Sequence, residues 1–141
     1  MDKTTVMAYF SIYGDSFDVD DITRELCLQP NEVKIKGSIP DGKKRPSIET
    51  AWKLSTGDEV SYDINDQLDK IITLLNGKES QLQSIKSKYD VNFIFSLVVK
   101  IENGEKPGMH FNTEKLAFIS KVGAEIDIDL FIVKRNIAIA I

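Results

Sequence analysis

Val91, Phe93, Phe95, Leu97, Val99 and Ile101 set six apolar side chains at a spacing of two, the strongest alternation in the chain. A segment with that period is an extended strand with one face buried. Ile94 and Val98 make its other face partly apolar, which places the strand in the interior of a sheet rather than at its margin. The chain must therefore build a sheet around residues 91–101, and the remaining elements read as neighbours or cover for it.

A second alternation, Val6, Ala8, Phe10 and Ile12 against Thr5, Met7, Tyr9 and Ser11, reads as another central strand. Tyr13-Gly14-Asp15-Ser16 turns the chain. Asp18 then suits a helix N-cap, with Phe17 before it and Ile22 at the fourth helical position, the two sites of a hydrophobic staple. Ile22, Leu26 and Leu28 supply the buried stripe, Asp20 and Asp21 oppose the helix dipole, and Pro30 stops the helix. Asn31 to Gly37 is a weaker strand with Val33 and Ile35 inward, Ser38 to Ser47 a loop, and Glu49 to Ser55 a third strand. After the Thr56-Gly57-Asp58 turn, Ile64, Leu68, Ile71, Ile72 and Leu75 follow helical spacing behind a cap at Asp63. Asn76-Gly77 ends or kinks that helix, and Leu82, Ile85 and Tyr89 continue it; two helices and one bent helix both fit.

The end of the chain repeats the earlier opening. Asn112 is an N-cap flanked by Phe111 and followed by Leu116 at the fourth position. Leu116, Ile119 and Val122 keep the helical spacing, and Gly123 suits its close. The period then drops to two: Ile126, Ile128, Leu130 and Ile132 point one way and Glu125, Asp127 and Asp129 the other, a strand with one buried and one acidic face. Val133 to Asn136 turns or trails. Ile137, Ile139 and Ile141 alternate with alanines, suited to a sheet edge or to an oligomer.

The order β-α-β-β-α-(α)-β-(β)-α-β predicts an α+β fold, an antiparallel-rich sheet with helices packed on one face. Its first six elements match a ferredoxin-like βαββαβ core, with an additional αβ unit behind it. The two capped helix starts, each after a strongly apolar strand, suggest a pseudo-repeat. At 141 residues the expectation is a single domain over 1–132 and a tail or edge strand over 133–141.

Charge and composition then narrow the function classes. A formal net charge of −4 gives no global reason to expect nucleic acid or an acidic membrane as the partner. No stretch approaches the length of a membrane span, and Val6 to Tyr13 is too short and polar for the apolar part of a signal peptide. The single cysteine, Cys27, excludes an intrachain disulfide and a cysteine-rich zinc site, and the single histidine, His110, excludes the commoner His-rich metal sites. A reducing, cytoplasmic setting is expected.

Chemistry-bearing residues are few. Asp127, Asp129 and Glu125 share a strand face on which carboxylates could hold a hard cation, but a solvated outer face explains the alternation better. Asp15, Asp18, Asp20 and Asp21 lack the order and the closing glutamate of an EF-hand loop, and read as caps and dipole partners. A Cys27–His110 pair would need two helix ends to meet, and both residues read as structural, with Cys27 on or near a buried helix face. The expectation is no catalytic constellation, no metal and no cofactor. Lys36, Lys43, Lys44 and Arg45 gather positive charge in an otherwise acidic chain, with Trp52 on the following strand. Because Arg and Trp are enriched where partners bind, these five residues form the predicted partner- or anion-binding patch.

Several of these segments also carry a family likeness. Ser11-Ile12-Tyr13-Gly14-Asp15, then Phe17-Asp18-x-Asp20-x-Ile22-Thr23-x-x-Leu26, Pro30, Lys36-Gly37, Trp52-x-Leu54-Ser55 and Asp127-x-Asp129-Leu130 occur in an order and spacing that resembles the bacterial domain-of-unknown-function family 4279. The likeness runs from about Thr4 to Phe131. Family members carry glycine-like turn chemistry after the first helix, where this chain has Cys27-Leu28-Gln29. The resemblance implies a small bacterial protein, similar in some members to immunity proteins that neutralise toxins, and carries over no catalytic residue. The expected function is thus a non-enzymatic, immunity-like or regulatory domain that binds another protein, with a homo-oligomer also allowed. A module holding a small anionic ligand against the basic loop and Trp52 is the alternative.

Overall fold

In the computed structural model, residues 3–133 are described. Ten elements follow in chain order. They are β1 (Thr5–Gly14), α1 (Val19–Leu26), β2 (Glu32–Lys34), β3 (Thr50–Ser55), β4 (Glu59–Val60), α2 (Ile64–Leu75), α3 (Glu79–Lys88), β5 (Val91–Ile101), α4 (Thr113–Lys121) and β6 (Ala124–Ile132). The fold is α+β. Six strands form one sheet in the order β2-β3-β1-β5-β6, with the short β4 also paired to β1. All pairings are antiparallel except that of β5 with β6.

The two strongest alternations become neighbours at the middle of the sheet. Phe10 lies opposite Phe95 and Ile12 opposite Phe93, with ring centroids of Phe10 and Phe95 4.9 Å apart. Val6, Ala8, Phe10 and Ile12 are fully buried with Phe95, Leu97 and Val99, on the face that α2 covers with Ile64, Leu68, Ile71 and Leu75. Burying each of the Val, Leu, Ile and Phe side chains here contributes about 1.5–3 kcal/mol, so this face is a main source of the fold's stability. On the opposite face, Thr5, Met7, Tyr9 and Tyr13 remain half-exposed.

Local chemistry sets the element ends. Asp18 caps α1 by accepting from the N–H groups of Asp20 (3.0 Å) and Asp21 (3.3 Å), and Asn112 caps α4 by accepting from Lys115 N–H (2.9 Å). The helix before Asn76-Gly77 and the one after it are separate, because Gly77 takes a left-handed φ of 81° that no continuous helix accommodates. α1 stops earlier than Pro30 requires. Cys27 itself adopts the left-handed conformation, with φ 55°, and so closes α1 at the position where glycine is common.

Four expectations are corrected. Cys27 is exposed, not on a buried helix face. Val33 and Ile35 stay exposed because the three-residue β2 is an edge strand that α1 does not reach across. Leu116 is also exposed, so the second helix start lacks the burial that a staple would give it. Finally, the even-numbered face of β6 is not buried as a whole. Leu130 and Ile132 are 52% and 71% exposed, because the nine-residue α4 ends its cover near Ala124 and Ile128. The tail over Ile137 to Ile141 lies outside the described residues.

Candidate functional site

The loop between β2 and β3 is long, yet its base is held by several bonds. Gly37 N–H donates to Ser47 O (2.9 Å) and Ser47 N–H returns a bond to Ser38 O (2.9 Å). Lys36 N–H donates to Thr50 Oγ1 at 3.1 Å, and Lys43 N–H closes a turn on Pro40 O at 3.0 Å. Gly42 occupies that turn with φ 76°, a conformation that disfavours side chains with a Cβ. Pinned at its base, the loop holds its exposed tip in a defined place, the usual arrangement of a binding loop on a rigid scaffold.

The tip carries Lys43, Lys44 and Arg45, all exposed. Together with Lys34, Pro40 and Ser47 they line a cavity of about 410 Å³. Among the described residues none of these three cations has a carboxylate within ion-pair distance, and Asp41 in the same loop does not pair with them. Ile39 (58% exposed) and Ile48 (88%) flank the cations. Positive charge left without a counter-charge, beside apolar side chains left in water, is a surface suited to an acidic and partly apolar partner.

Of the five residues expected at the site, Lys43, Lys44 and Arg45 come together. Lys36 is engaged elsewhere, in an ion pair with Asp15 at the end of β1. Trp52 requires correction: it is fully buried, on the β3 face opposite Ile12, and its indole N–H donates to Thr23 Oγ1 at 3.0 Å. Alternation explains this, since Trp52 and Leu54 share the core face while Lys53 between them faces the open side. Trp52 anchors α1 to the sheet and presents none of its ring to solvent.

Sequence reading missed Lys34, whose neighbours Val33 and Ile35 drew attention as core candidates. Besides the loop cavity, Lys34 lines a second one of about 480 Å³ on the open sheet face with Met7, Tyr9, Lys53 and Val98. Lys53 Nζ stands 5.0 Å from the centre of the Tyr9 ring and 3.4 Å from Glu32. Farther along that face, Tyr13 donates to Glu125 Oε1 at 3.4 Å. Burial first, then the charge of Glu125, pushes the Tyr13 hydroxyl above its ordinary value. The open face thus runs from basic residues beside β2 to the acidic ladder Glu125, Asp127 and Asp129 on β6.

Asp18, Asp20 and Asp21 serve the fold. Asp21 accepts from Tyr89 Oη (2.7 Å) and Lys88 Nζ (2.9 Å), and these two bonds hold its carboxyl below the usual range. Among the described residues no group of three His, Cys, Asp or Glu side chains is arranged to hold a metal ion. His110 and Cys27 are engaged through different elements: the His110 carbonyl accepts from Asn65 Nδ2 (2.6 Å) and Cys27 Sγ meets Arg24 O (3.5 Å). No helix among the described residues is long and apolar enough to cross a membrane.

A family model described as "Domain of unknown function (DUF4279)" matches residues 3–132, and the chain belongs to that family. No curated protein and no solved structure matches it.

Proposed function

We propose that this chain is a non-enzymatic binding domain, immunity-like or regulatory, that holds an acidic protein partner at the loop between β2 and β3. The observation that carries the reading is the set of uncompensated cations Lys43, Lys44 and Arg45 around a concave surface, in a chain whose formal net charge is −4. Such a patch steers an acidic partner at long range, and the exposed Ile39 and Ile48 supply apolar contact once it docks. A reducing cytoplasmic setting suits the single free cysteine.

Capture from native lysate tests this, with the unmodified chain beside a variant carrying Lys43→Glu, Lys44→Glu and Arg45→Glu. Stoichiometric capture of an acidic protein by the first and not by the second is the expected result. Equal capture by both, or capture by neither, counts against it.

The concavity itself favours a second reading, a site for a small anion between Lys34, Lys43, Lys44 and Arg45. A phosphorylated metabolite that binds only the folded state would then raise the melting temperature of the chain and not of the charge-reversed variant. No shift across nucleotides and sugar phosphates removes this alternative.

The fold that carries the loop reads as a ferredoxin-like core extended by α4 and β6. The β2-β3-β1-β5 order, with β1 antiparallel to both its neighbours, supports that assignment. For the pseudo-repeat the support is the pair of capped helix starts. Against it, α1 links strands separated by β3 whereas α4 links adjacent ones.

A further inference from the structure

The last strand of the sheet leaves an edge with no partner among the described residues. It is nine residues long, against a usual strand of about 5–6, and an extended edge of this kind is a template for another strand. Val133 N–H donates to Ile101 O at 2.9 Å, so odd-numbered residues here turn their backbone groups towards β5. Successive residues alternate, and Ile126, Ile128, Leu130 and Ile132 therefore turn N–H and C=O outward. The outward backbone groups thus belong to the residues whose apolar side chains are left in water: Ile126, Leu130 and Ile132 are exposed and Ile128 is half-buried.

The acidic ladder on the other face decides what such an edge accepts. Like charges directly opposite one another across a strand pair are destabilising. For two β6 strands running antiparallel about a two-fold axis, each central residue defines one register. Centring on Asp127 or Asp129 sets that aspartate against its own copy, and centring on Ile128 sets Asp127 against Asp129. Centring on Leu130 is the first register free of this opposition. It pairs Leu130 with Leu130, Ile128 with Ile132, Asp129 with Phe131 and Asp127 with Val133, leaving Asp129 only diagonal to its copy. Moving the centre on to Phe131 shortens the paired stretch without removing a further clash. The ladder thus blunts indiscriminate edge pairing and leaves one well-matched register.

We propose that β6 is a homodimerisation strand, paired antiparallel with β6 of a second copy about a two-fold axis through Leu130. The surface is distinct from the basic loop, which hangs from the opposite side of the sheet beside β2, so each stands or falls alone.

Sedimentation of the full chain, with site-directed cross-linking, tests the proposal. The expected mass at micromolar concentration is that of two chains. Leu130→Lys, at a half-exposed position, sets two ammonium groups against each other and gives the one-chain mass with an unchanged far-UV spectrum. Directly opposed, backbone-bonded residues lie about 5.5 Å apart between Cα atoms, within the range of about 4.4–6.8 Å that a disulfide spans. In a Cys27→Ser background, Leu130→Cys therefore oxidises to a covalent dimer and Ile126→Cys does not. A one-chain mass for the unmodified protein overturns the proposal, whether its own residues or a different partner cover the edge. So does a two-chain mass that Leu130→Lys leaves intact, or equal cross-linking from both cysteine positions.

Discussion

Tyr89 donates its hydroxyl to the carboxylate of Asp21 across 2.7 Å, tying the end of α3 to the first turn of α1. Lys88 reaches the same carboxylate oxygen at 2.9 Å, and the Phe17 and Tyr89 rings pack with centroids 6.2 Å apart. What looks in sequence like an acidic cluster is the joint that fixes α1 over the sheet, and with it the start of the chain that runs into the basic loop.

This joint gives stability a defined pH window. The Asp21 carboxyl is held down by Tyr89 and then by Lys88, so its contribution is present above the unfolded value of about 3.9 and is lost as pH falls through the lower folded value. Tyr89 and Lys88 are both pushed up by Asp21. Their contribution is present below their unfolded values of about 10 and is lost as pH rises through the folded ones. Tyr89→Phe should therefore lower the melting temperature most near neutral pH, with the difference from the unmodified chain closing in strong acid. A difference independent of pH would show that packing, not this bond, holds the joint.

Trp52 separates structural from binding roles. Its indole N–H donates to Thr23 Oγ1 at 3.0 Å within a fully buried site. Trp52→Phe removes that bond and leaves space beside the smaller ring, and should lower stability by about 1–3 kcal/mol by denaturant unfolding. Partner capture by the folded variant should be unchanged. Loss of capture without loss of stability would return Trp52 to the binding surface.

At Cys27 the chain adopts φ 55° without a glycine. The left-handed region costs a residue bearing a Cβ about 1–2 kcal/mol, offset in part by the greater freedom of glycine when unfolded. Cys27→Gly should accordingly raise stability by up to about 1 kcal/mol, and Cys27→Ala should not. Thermal melts of the two variants check this; equal effects would mean that the thiol, not the backbone, governs the position.

Gly14 is needed for space rather than for its backbone angle. A Cβ there would lie 2.7 Å from Asp90 O and 3.3 Å from Val91 Cγ1, where β1 meets the start of β5. Gly14→Ala should cost about 1–3 kcal/mol as the strand end is pushed apart. A denaturant midpoint equal to that of the unmodified chain would show that the strands part without cost.

The elements that were legible in the sequence were those whose local signal and tertiary role agree. Asp18 and Asn112 cap the helices their spacing predicts, and Val6–Ile12 and Val91–Ile101 are central strands because both faces carry apolar side chains. Errors arose where alternation was taken for burial. The far part of the even face of β6, Leu130 and Ile132, and the Val33–Ile35 pair alternate like core strands, yet each lies on an outer strand beyond helix cover, and no local pattern reports where a helix ends above a sheet. At the candidate site, the charge run gave Lys43 to Arg45 directly. The position of Lys34 beside them depends on the pairing of β2 with β3, and the loss of Lys36 to Asp15 on a contact 21 residues apart in sequence.

The most direct test of the central claim is a titration of the isotope-labelled chain with a short Asp- and Glu-rich peptide containing one leucine, followed by amide chemical shifts. The account predicts perturbations concentrated at Lys34 and over residues 36–49, in a binding that weakens as salt screens the cations and disappears in the Lys43→Glu, Lys44→Glu, Arg45→Glu variant. Perturbations centred elsewhere, or retained in that variant, would contradict it.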